Sequence, residues 1–353
     1  MKLLHDLTLD ELKRELETLI DKMPRFRAGQ IFDWMTNYAK FDEMSNLPQD
    51  LRELLKQNFI DNPISIEKEL ISKDGTKKYL LSLPDGNVVE AVLMNYKYGN
   101  TICISTQVGC RMGCGFCATG IDGLVRNLSA GEMLSEVLAI NKHVGGTKAD
   151  RKITNIVLMG CGEPLDNYDN VVKFVRLISA KEGLNLSQRN ISLSTCGLAD
   201  KIKMLADEDL GITLTISLHA STDEQRKKIM NVAKAYSLKE LFFAIKYYFE
   251  KTKRRIVFEY IELDMNTNPE DAERIRDLCK GLSYHFNLIP INTTPNSVEQ
   301  NPALKPPTKQ KSSAFWEKLK ELNISATTRR TLGSDIEGAC GQLRRSTIAK
   351  DKK

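Results

Sequence analysis

The chain has 353 residues, 41% hydrophobic and 27% charged, the proportions of a globular protein and not of a collagen-like, low-complexity or disordered one. That length predicts two or three domains and a core that needs no disulfide staples. The net charge of +5 is unevenly spread: twelve Lys/Arg against five Asp/Glu lie between Lys305 and Lys353, a basic end that fits a phosphate-rich partner or a solvated surface.

The N-terminus, MKLLHDLTLDELKREL, carries acids early and lacks the apolar stretch of a secretory signal. No run of about 18 apolar residues follows, so a cytoplasmic protein without a membrane partner is expected. Leu9, Leu12, Leu16, Leu19 and Ile20 recur at helical spacing, Ile31, Trp34 and Met35 form a second apolar face, and Pro48 precedes a third helix, DLRELLKQNF. These predict a small helical module. KKYLLSL and VVEAVLM then read as strands of a hairpin joined by Pro84-Asp85-Gly86-Asn87.

From Thr101 a short β-rich run alternates with an amphipathic helix. The runs are TICIST, TNIVLMG, NISLST, ITLTISLH, RIVFEYI and HFNLIP. One of the helices opens with a capping box, Ser129-Ala130-Gly131-Glu132. Six such alternations predict an α/β fold with a parallel barrel, open or closed. Ligand groups are then expected at the C-terminal ends of the strands. Thr293–Lys311, rich in Pro, Asn and Lys, reads as a surface loop.

Six of the eight cysteines fall between Cys103 and Cys196. Three of them, Cys110, Cys114 and Cys117, are spaced C-x3-C-x2-C on a glycine-containing loop after the first barrel strand. Three soft thiolates at one centre suit iron–sulfur or zinc. A structural zinc takes four N/S ligands, and no fourth stands close by, the next histidine being His143. Three thiolates on an iron–sulfur cluster leave one iron open to a small molecule. Other polar segments end later strands: Gly162-Glu163-Pro164, Ser194-Thr195-Cys196-Gly197, Ser217-Leu218-His219 and Asn287–Asn292. Their carboxylate, hydroxyl and amide groups can bond ammonium, carboxylate and ribose.

C-x3-C-x-aromatic-C on such a loop resembles the radical S-adenosylmethionine (radical-SAM) superfamily. With Gly338-Ala339-Cys340-Gly341-Gln342-Leu343, Arg329–Ile336, RAGQIFDWM and NTICISTQVGCRMGCGFCATG, the chain closely resembles that superfamily's RNA adenine C2 methyltransferases over nearly its whole length. The resemblance implies a partial (β/α)6 TIM-like barrel over 99–330, a helical accessory domain over 1–62 as an RNA contact, a β-hairpin extension over 63–98, and a C-terminal segment, 331–353, with a methyl-accepting cysteine and a basic tail. It also implies methylation of C2 of an adenosine in 23S ribosomal RNA and of one beside the transfer-RNA anticodon. One [4Fe–4S] cluster on Cys110, Cys114 and Cys117 and two molecules of S-adenosylmethionine per turnover would serve the reaction.

The same resemblance implies the roles of individual residues. Gly162, Glu163, Ser194, Ser217, Leu218, His219 and Asn292 match positions that hold S-adenosylmethionine. Cys340 matches the methylated cysteine, Cys103 the cysteine that resolves the RNA–protein adduct through a transient disulfide, and Glu90 the proton acceptor. Taken without the resemblance, Glu90 and Cys103 read as strand residues and Cys279 as core. Lys13, Arg14, Arg25 and Arg27 could meet phosphates. A monomer and a flavodoxin-type electron donor are expected. The family pattern is departed from at Met230–Ala233 and at Asp264–Asn268. Three rival readings are an adenine C8 methyltransferase, which tends to carry Ala where Pro164 stands, a radical-SAM activase of a protein partner, and a zinc-stabilised RNA-binding protein.

Overall fold

The computed structural model describes residues 1–291, 301–330 and 332–336. Helices α1 (Leu9–Leu19), α2 (Arg25–Thr36) and α3 (Gln49–Asn58) form the N-terminal module. Their apolar stripes bury Leu12, Leu16, Ile31, Phe32, Met35 and Leu55 in a separate small core, as the helical spacing predicts. A two-residue parallel ribbon, β1 (Lys2–Leu3) with β2 (Phe59–Ile60), ties the module's ends together. The module is joined to the body where Asp6 Oδ1 accepts the Gly131 N–H at 2.6 Å, at the N-terminus of α4 (Ala130–His143). That helix is capped by the reciprocal Ser129–Glu132 bonds the sequence predicts.

Strands β3 (Ser65–Ile71), β4 (Lys77–Ser82) and β5 (Val88–Tyr96) form an antiparallel meander. The β4–β5 turn falls on Pro84–Asn87, where Gly86 takes φ +80°. The meander is part of the main sheet: β5 pairs antiparallel with β6 (Gly99–Cys103). Six more strands add in parallel order: β9 (Ile153–Leu158), β10 (Ile191–Thr195), β11 (Thr213–Ser217), β12 (Ile256–Glu262), β13 (Tyr284–Pro290) and β14 (Ala326–Thr328). The resulting ten-stranded sheet is open, with β3 and β14 at its edges. The barrel is therefore partial, as expected. β14 is a seventh parallel strand beyond the six expected; three residues are too few to show a period of two.

Helices α4, α5 (Tyr168–Ser179), α6 (Ala199–Ala206), α7 (Asp223–Ile229), α8 (Leu238–Thr252), α9 (Pro269–Leu278) and α10 (Lys309–Glu321) connect the strands. One sheet face packs on them in a continuous core that includes Tyr79, Ile102, Leu158, Leu193, Ile216, Phe258, Phe286 and Cys279. The other face is left for the site. No helix among the described residues is long and apolar enough to cross a membrane.

Candidate active site

The loop bearing Cys110, Cys114 and Cys117 leaves a small antiparallel ribbon, β7 (Gln107–Gly109) with β8 (Leu124–Asn127). Gly109 sits at φ +81°, and a Cβ there would collide with the Gly123 carbonyl; only glycine lets the two strands close at this point. The loop is pinned from several sides. The Cys110 N–H donates to Gly123 O at 2.9 Å, the Gly115 N–H to Ile229 O at 2.9 Å, and the Cys117 N–H to Cys114 O at 3.0 Å. Asn231 Nδ2 donates to Gly113 O at 3.0 Å. The 230–233 segment, which departs from the family pattern, is thus a brace for the cysteine loop.

All three cysteines line one cavity of about 340 Å³ at the C-terminal ends of the parallel strands, and Gly162, Glu163, Ser194, Ser217 and His219 line it with them. The structure so brings together eight residues spread from Cys110 to His219 in the chain. Gly162, at φ +111°, lies so close to Thr106 and Gln107 that a side chain would displace them. Leu218 does not line the cavity. Its side chain is in the main core, and its carbonyl accepts from Arg226 Nε at 3.2 Å. Asn292 and Cys340 lie outside the described residues.

Burial governs the electrostatics. It pushes the Cys110 thiol up to about 11, with the nearby Glu163 and Cys117 adding to the shift. It pushes Cys114 up to about 12, reinforced by Cys117 and Cys110. Such thiols give up their protons when a metal binds. Burial also raises the Glu163 carboxyl, against hydrogen bonds that favour its charge. Its Oε2 accepts the Cys196 N–H at 2.7 Å and its Oε1 the Leu165 N–H at 3.0 Å. An ammonium entering the cavity would find this carboxylate already oriented. His219 is lowered to about 3 by burial and by Arg226, so its ring is neutral. Nδ1 accepts the Ile261 N–H at 3.1 Å, which leaves the proton on Nε2. Phe116 meets the ring edge-on at 4.8 Å, and Asn266, from the second departing loop, donates to the His219 carbonyl at 2.8 Å.

A second group of residues flanks this cavity. Glu90, Val92 and Met94 share one face of β5 by strand alternation, and Cys103 on β6 stands opposite Val92. Val92, Met94 and Cys103 form a small buried cluster against which Met159 and Leu332 pack. Met159 also lines the 340 Å³ cavity, so this side chain touches both groups. Leu332 brings the C-terminal segment to Cys103. That segment is then fastened to the β3–β4 turn: the Gly333 N–H donates to Asp74 Oδ2 at 2.9 Å, and Asp335 accepts from the Ser72 hydroxyl and from the Lys73 N–H.

Two residues of the site escaped the sequence reading. Glu259 is buried in the cavity wall, accepts from Ser194 Oγ at 3.1 Å and Ser217 Oγ at 3.4 Å, and meets Arg329 Nη1 at 3.5 Å. A lone carboxylate inside the apolar run RIVFEYI was the signal available. Arg226 is fully buried and donates to the carbonyls of Cys196 and Leu218, locking two strand ends together. Its position on a helix beside Lys227 and Lys228 reads as a solvated cation, so nothing in the sequence marks it.

Among the described residues no three His, Cys, Asp or Glu side chains converge tightly enough to hold a single metal ion. A cubane cluster does not require that, because each thiolate binds a different iron. Three cysteine sulfurs lining one cavity on a C-x3-C-x2-C loop fit such a cluster.

The chain matches the family model described as the radical SAM superfamily over residues 104–279. It matches the ribosomal RNA large subunit methyltransferase N-terminal domain over residues 3–60. It is 51% identical over 354 residues to a protein of Clostridium perfringens (strain 13 / Type A) named probable dual-specificity RNA methyltransferase RlmN, covering 99% of this chain and 98% of that one. It is 48% identical to the protein of the same name from Clostridium novyi (strain NT), covering 99% of each. The crystal structure of a radical SAM methyltransferase from Sphaerobacter thermophilus superposes with a TM-score of 0.88 at 40% identity, covering 97% of this chain and 99% of that one.

Proposed function

The chain belongs to the RlmN family of radical-SAM RNA methyltransferases, and from that membership we propose that it methylates C2 of one adenosine in 23S ribosomal RNA and of the adenosine 3′ to the anticodon in transfer RNA. It is an S-adenosylmethionine-dependent enzyme of the radical-SAM class. In the proposed reading Cys110, Cys114 and Cys117 hold the [4Fe–4S] cluster. Gly162, Glu163, Ser194, Ser217 and His219 hold S-adenosylmethionine in the cavity beside it, together with Asn292. When bound, the cluster and S-adenosylmethionine supply a 5′-deoxyadenosyl radical.

The chain's own residues supply the rest. The Cys340 thiolate takes a methyl group from a first S-adenosylmethionine by displacement and carries it to the base. Adenine C2 is electron-poor and not nucleophilic, so the methyl carbon must arrive as a radical and the RNA becomes linked to Cys340. Glu90 removes the C2 proton, and the unpaired electron brought by the radical must leave, for which the oxidised cluster would be the acceptor. The Cys103 thiolate then attacks the Cys340 sulfur, the S–CH2 bond breaks, and its electron pair stays on the carbon, which takes up a proton to become the methyl group. A Cys103–Cys340 disulfide is left for a cellular reductant to open.

The observation that carries this reading is Leu332 packed in the same small cluster as Cys103. Met159 packs on that cluster and also lines the cofactor cavity, and Leu332 stands eight positions before Cys340 in the sequence. The test is anaerobic reconstitution with iron and sulfide, followed by S-adenosylmethionine, a reductant, and ribosomal or transfer RNA. 2-Methyladenosine in the digested nucleosides is the expected product. 8-Methyladenosine would place the chain in the C8 branch, and 5′-deoxyadenosine without either would point to a protein substrate.

A further inference from the structure

We propose that Tyr98, backed by Tyr96, is a stacking platform for an unpaired nucleobase flanking the target in the RNA substrate. This rests on the RNA-methyltransferase reading and assigns that substrate a contact. Both tyrosines lie at the β5–β6 hairpin turn. Tyr96 is half-buried against the Val92, Met94 and Cys103 cluster, and its hydroxyl donates to Met94 Sδ at 3.6 Å. Tyr98 lies nearly parallel to it, with ring centroids 4.9 Å apart and an interplanar angle of 7°. Tyr98 is nonetheless 72% exposed, more than Phe243 (66%) or Phe26 (61%).

Single exposed apolar side chains are ordinary. A fixed aromatic plane held parallel to an anchored partner, with most of its surface in water, is a different object: its ring is oriented before anything binds. The charges around it say what fits. Lys97 between the two tyrosines is exposed. The guanidiniums of Arg329 and Arg330 are close enough to act on the Tyr96 phenol, and Arg329 also lines the cofactor cavity. An aromatic face with Lys97, Arg329 and Arg330 nearby matches a base with its phosphates; the core of a protein–protein contact is instead depleted of charged residues. Tyr96 pairs with Gly99 and Val92 with Cys103, so the platform stands four strand residues, about 13 Å, from Cys103. It therefore takes a neighbouring base and not the reacting one. A target drawn out of folded RNA loses its stacking partners, and a platform at this distance offers a replacement to the nucleotides beside it.

The experiment compares reconstituted wild type, Tyr98→Ala and Tyr98→Phe for binding and methylation of a 23S ribosomal RNA hairpin and of transfer RNA. Tyr98→Ala is expected to weaken RNA binding and raise KM about tenfold, the scale of one base–aromatic stack, with a smaller change in kcat. Tyr98→Phe should restore both, because the ring does the stacking. Iron content and RNA-independent cleavage of S-adenosylmethionine should stay at the wild-type level in all three. The proposal is overturned if Tyr98→Ala binds and methylates both RNAs like the wild type, or if Tyr98→Phe loses as much as Tyr98→Ala. A wild type that binds neither RNA would bring down the substrate reading and the platform together, an outcome distinct from loss in the variant alone.

Discussion

The Lys78 ammonium lies 3.2 Å from the Glu90 carboxylate, and both side chains are closed to solvent. Lys78 on β4 stands opposite Val92, two residues from Glu90, so the pair is a diagonal contact across two strands. Removing one member of a buried pair strands the other charge in a medium that cannot solvate it. Lys78→Met should therefore lower stability by about 3–5 kcal/mol, read from urea unfolding. Lys78→Met combined with Glu90→Leu should recover part of that loss; a double variant no more stable than Lys78→Met would refute the pairing.

The Cys110, Cys114 and Cys117 assignment is tested by iron. Alanine at any one of the three should remove most of the iron and the brown absorbance after anaerobic reconstitution, since two thiolates on a cluster leave two irons open. Alanine at Cys279, buried in the main core, should leave the iron unchanged. Equal iron in all four variants would sink the site.

Cys103→Ala should arrest the reaction after RNA has become linked to the protein, because no thiolate remains to attack the Cys340 sulfur. A covalent RNA–protein band on a denaturing gel is the expected result. The doubly substituted Cys103→Ala, Cys340→Ala protein should show none, and a band from that protein would contradict Cys340 as the carrier.

Asp335 accepts from Ser72 and Lys73 on the β3–β4 turn, five residues before Cys340. Asp335→Ala should slow RNA methylation severalfold while leaving iron content and RNA-free cleavage of S-adenosylmethionine intact. The turn holds the carrier segment and touches neither cofactor. Unchanged methylation would show that the anchor is dispensable.

His5, in the N-terminal module, is lowered to about 4 by burial, against hydrogen bonds that favour its charged form. A histidine whose folded value lies below its unfolded value stabilises the fold fully above about pH 6.5 and loses that contribution as pH falls toward 4. Relative to His5→Leu, the wild type should therefore lose about 3 kcal/mol between pH 7 and pH 4. Several buried carboxyls shift the other way and affect both proteins alike, so the difference isolates His5. A pH-independent difference in unfolding free energy would refute it.

How much of this was readable beforehand can be judged from single residues. Leu12, Leu16, Ile31 and Met35 announce their burial by helical spacing, and all four are in the module's core. Ser129 and Glu132 announce a cap by their separation. The cysteine spacing locates the loop, and Gly162, Glu163, Ser194 and Ser217 fall at strand ends, where a parallel barrel gathers ligand contacts. Leu218 shows the limit of a three-residue motif: between Ser217 and His219, strand alternation turns its side chain into the core. Arg226 was invisible because a cation beside two others on a helix looks solvated until the strand-end carbonyls it satisfies are seen. The partnership of Lys78 with Glu90 was equally hidden, since strand register is not written in either run.

The sequence by itself determined the N-terminal helices, the six strand–helix alternations, the radical-SAM cysteine loop and the family, because these depend on periodicity and on residues close together in the chain. Tertiary structure alone decided that the β3–β5 meander continues the barrel sheet, that Met159 touches both the Cys103 cluster and the cofactor cavity, and that Arg329 lines the cavity while Asp335 bonds the β3–β4 turn. Each of these joins residues tens to hundreds of positions apart. Local propensity carries no information about which distant strand edges or side chains will meet; burial and hydrogen-bond satisfaction across the whole sheet select them.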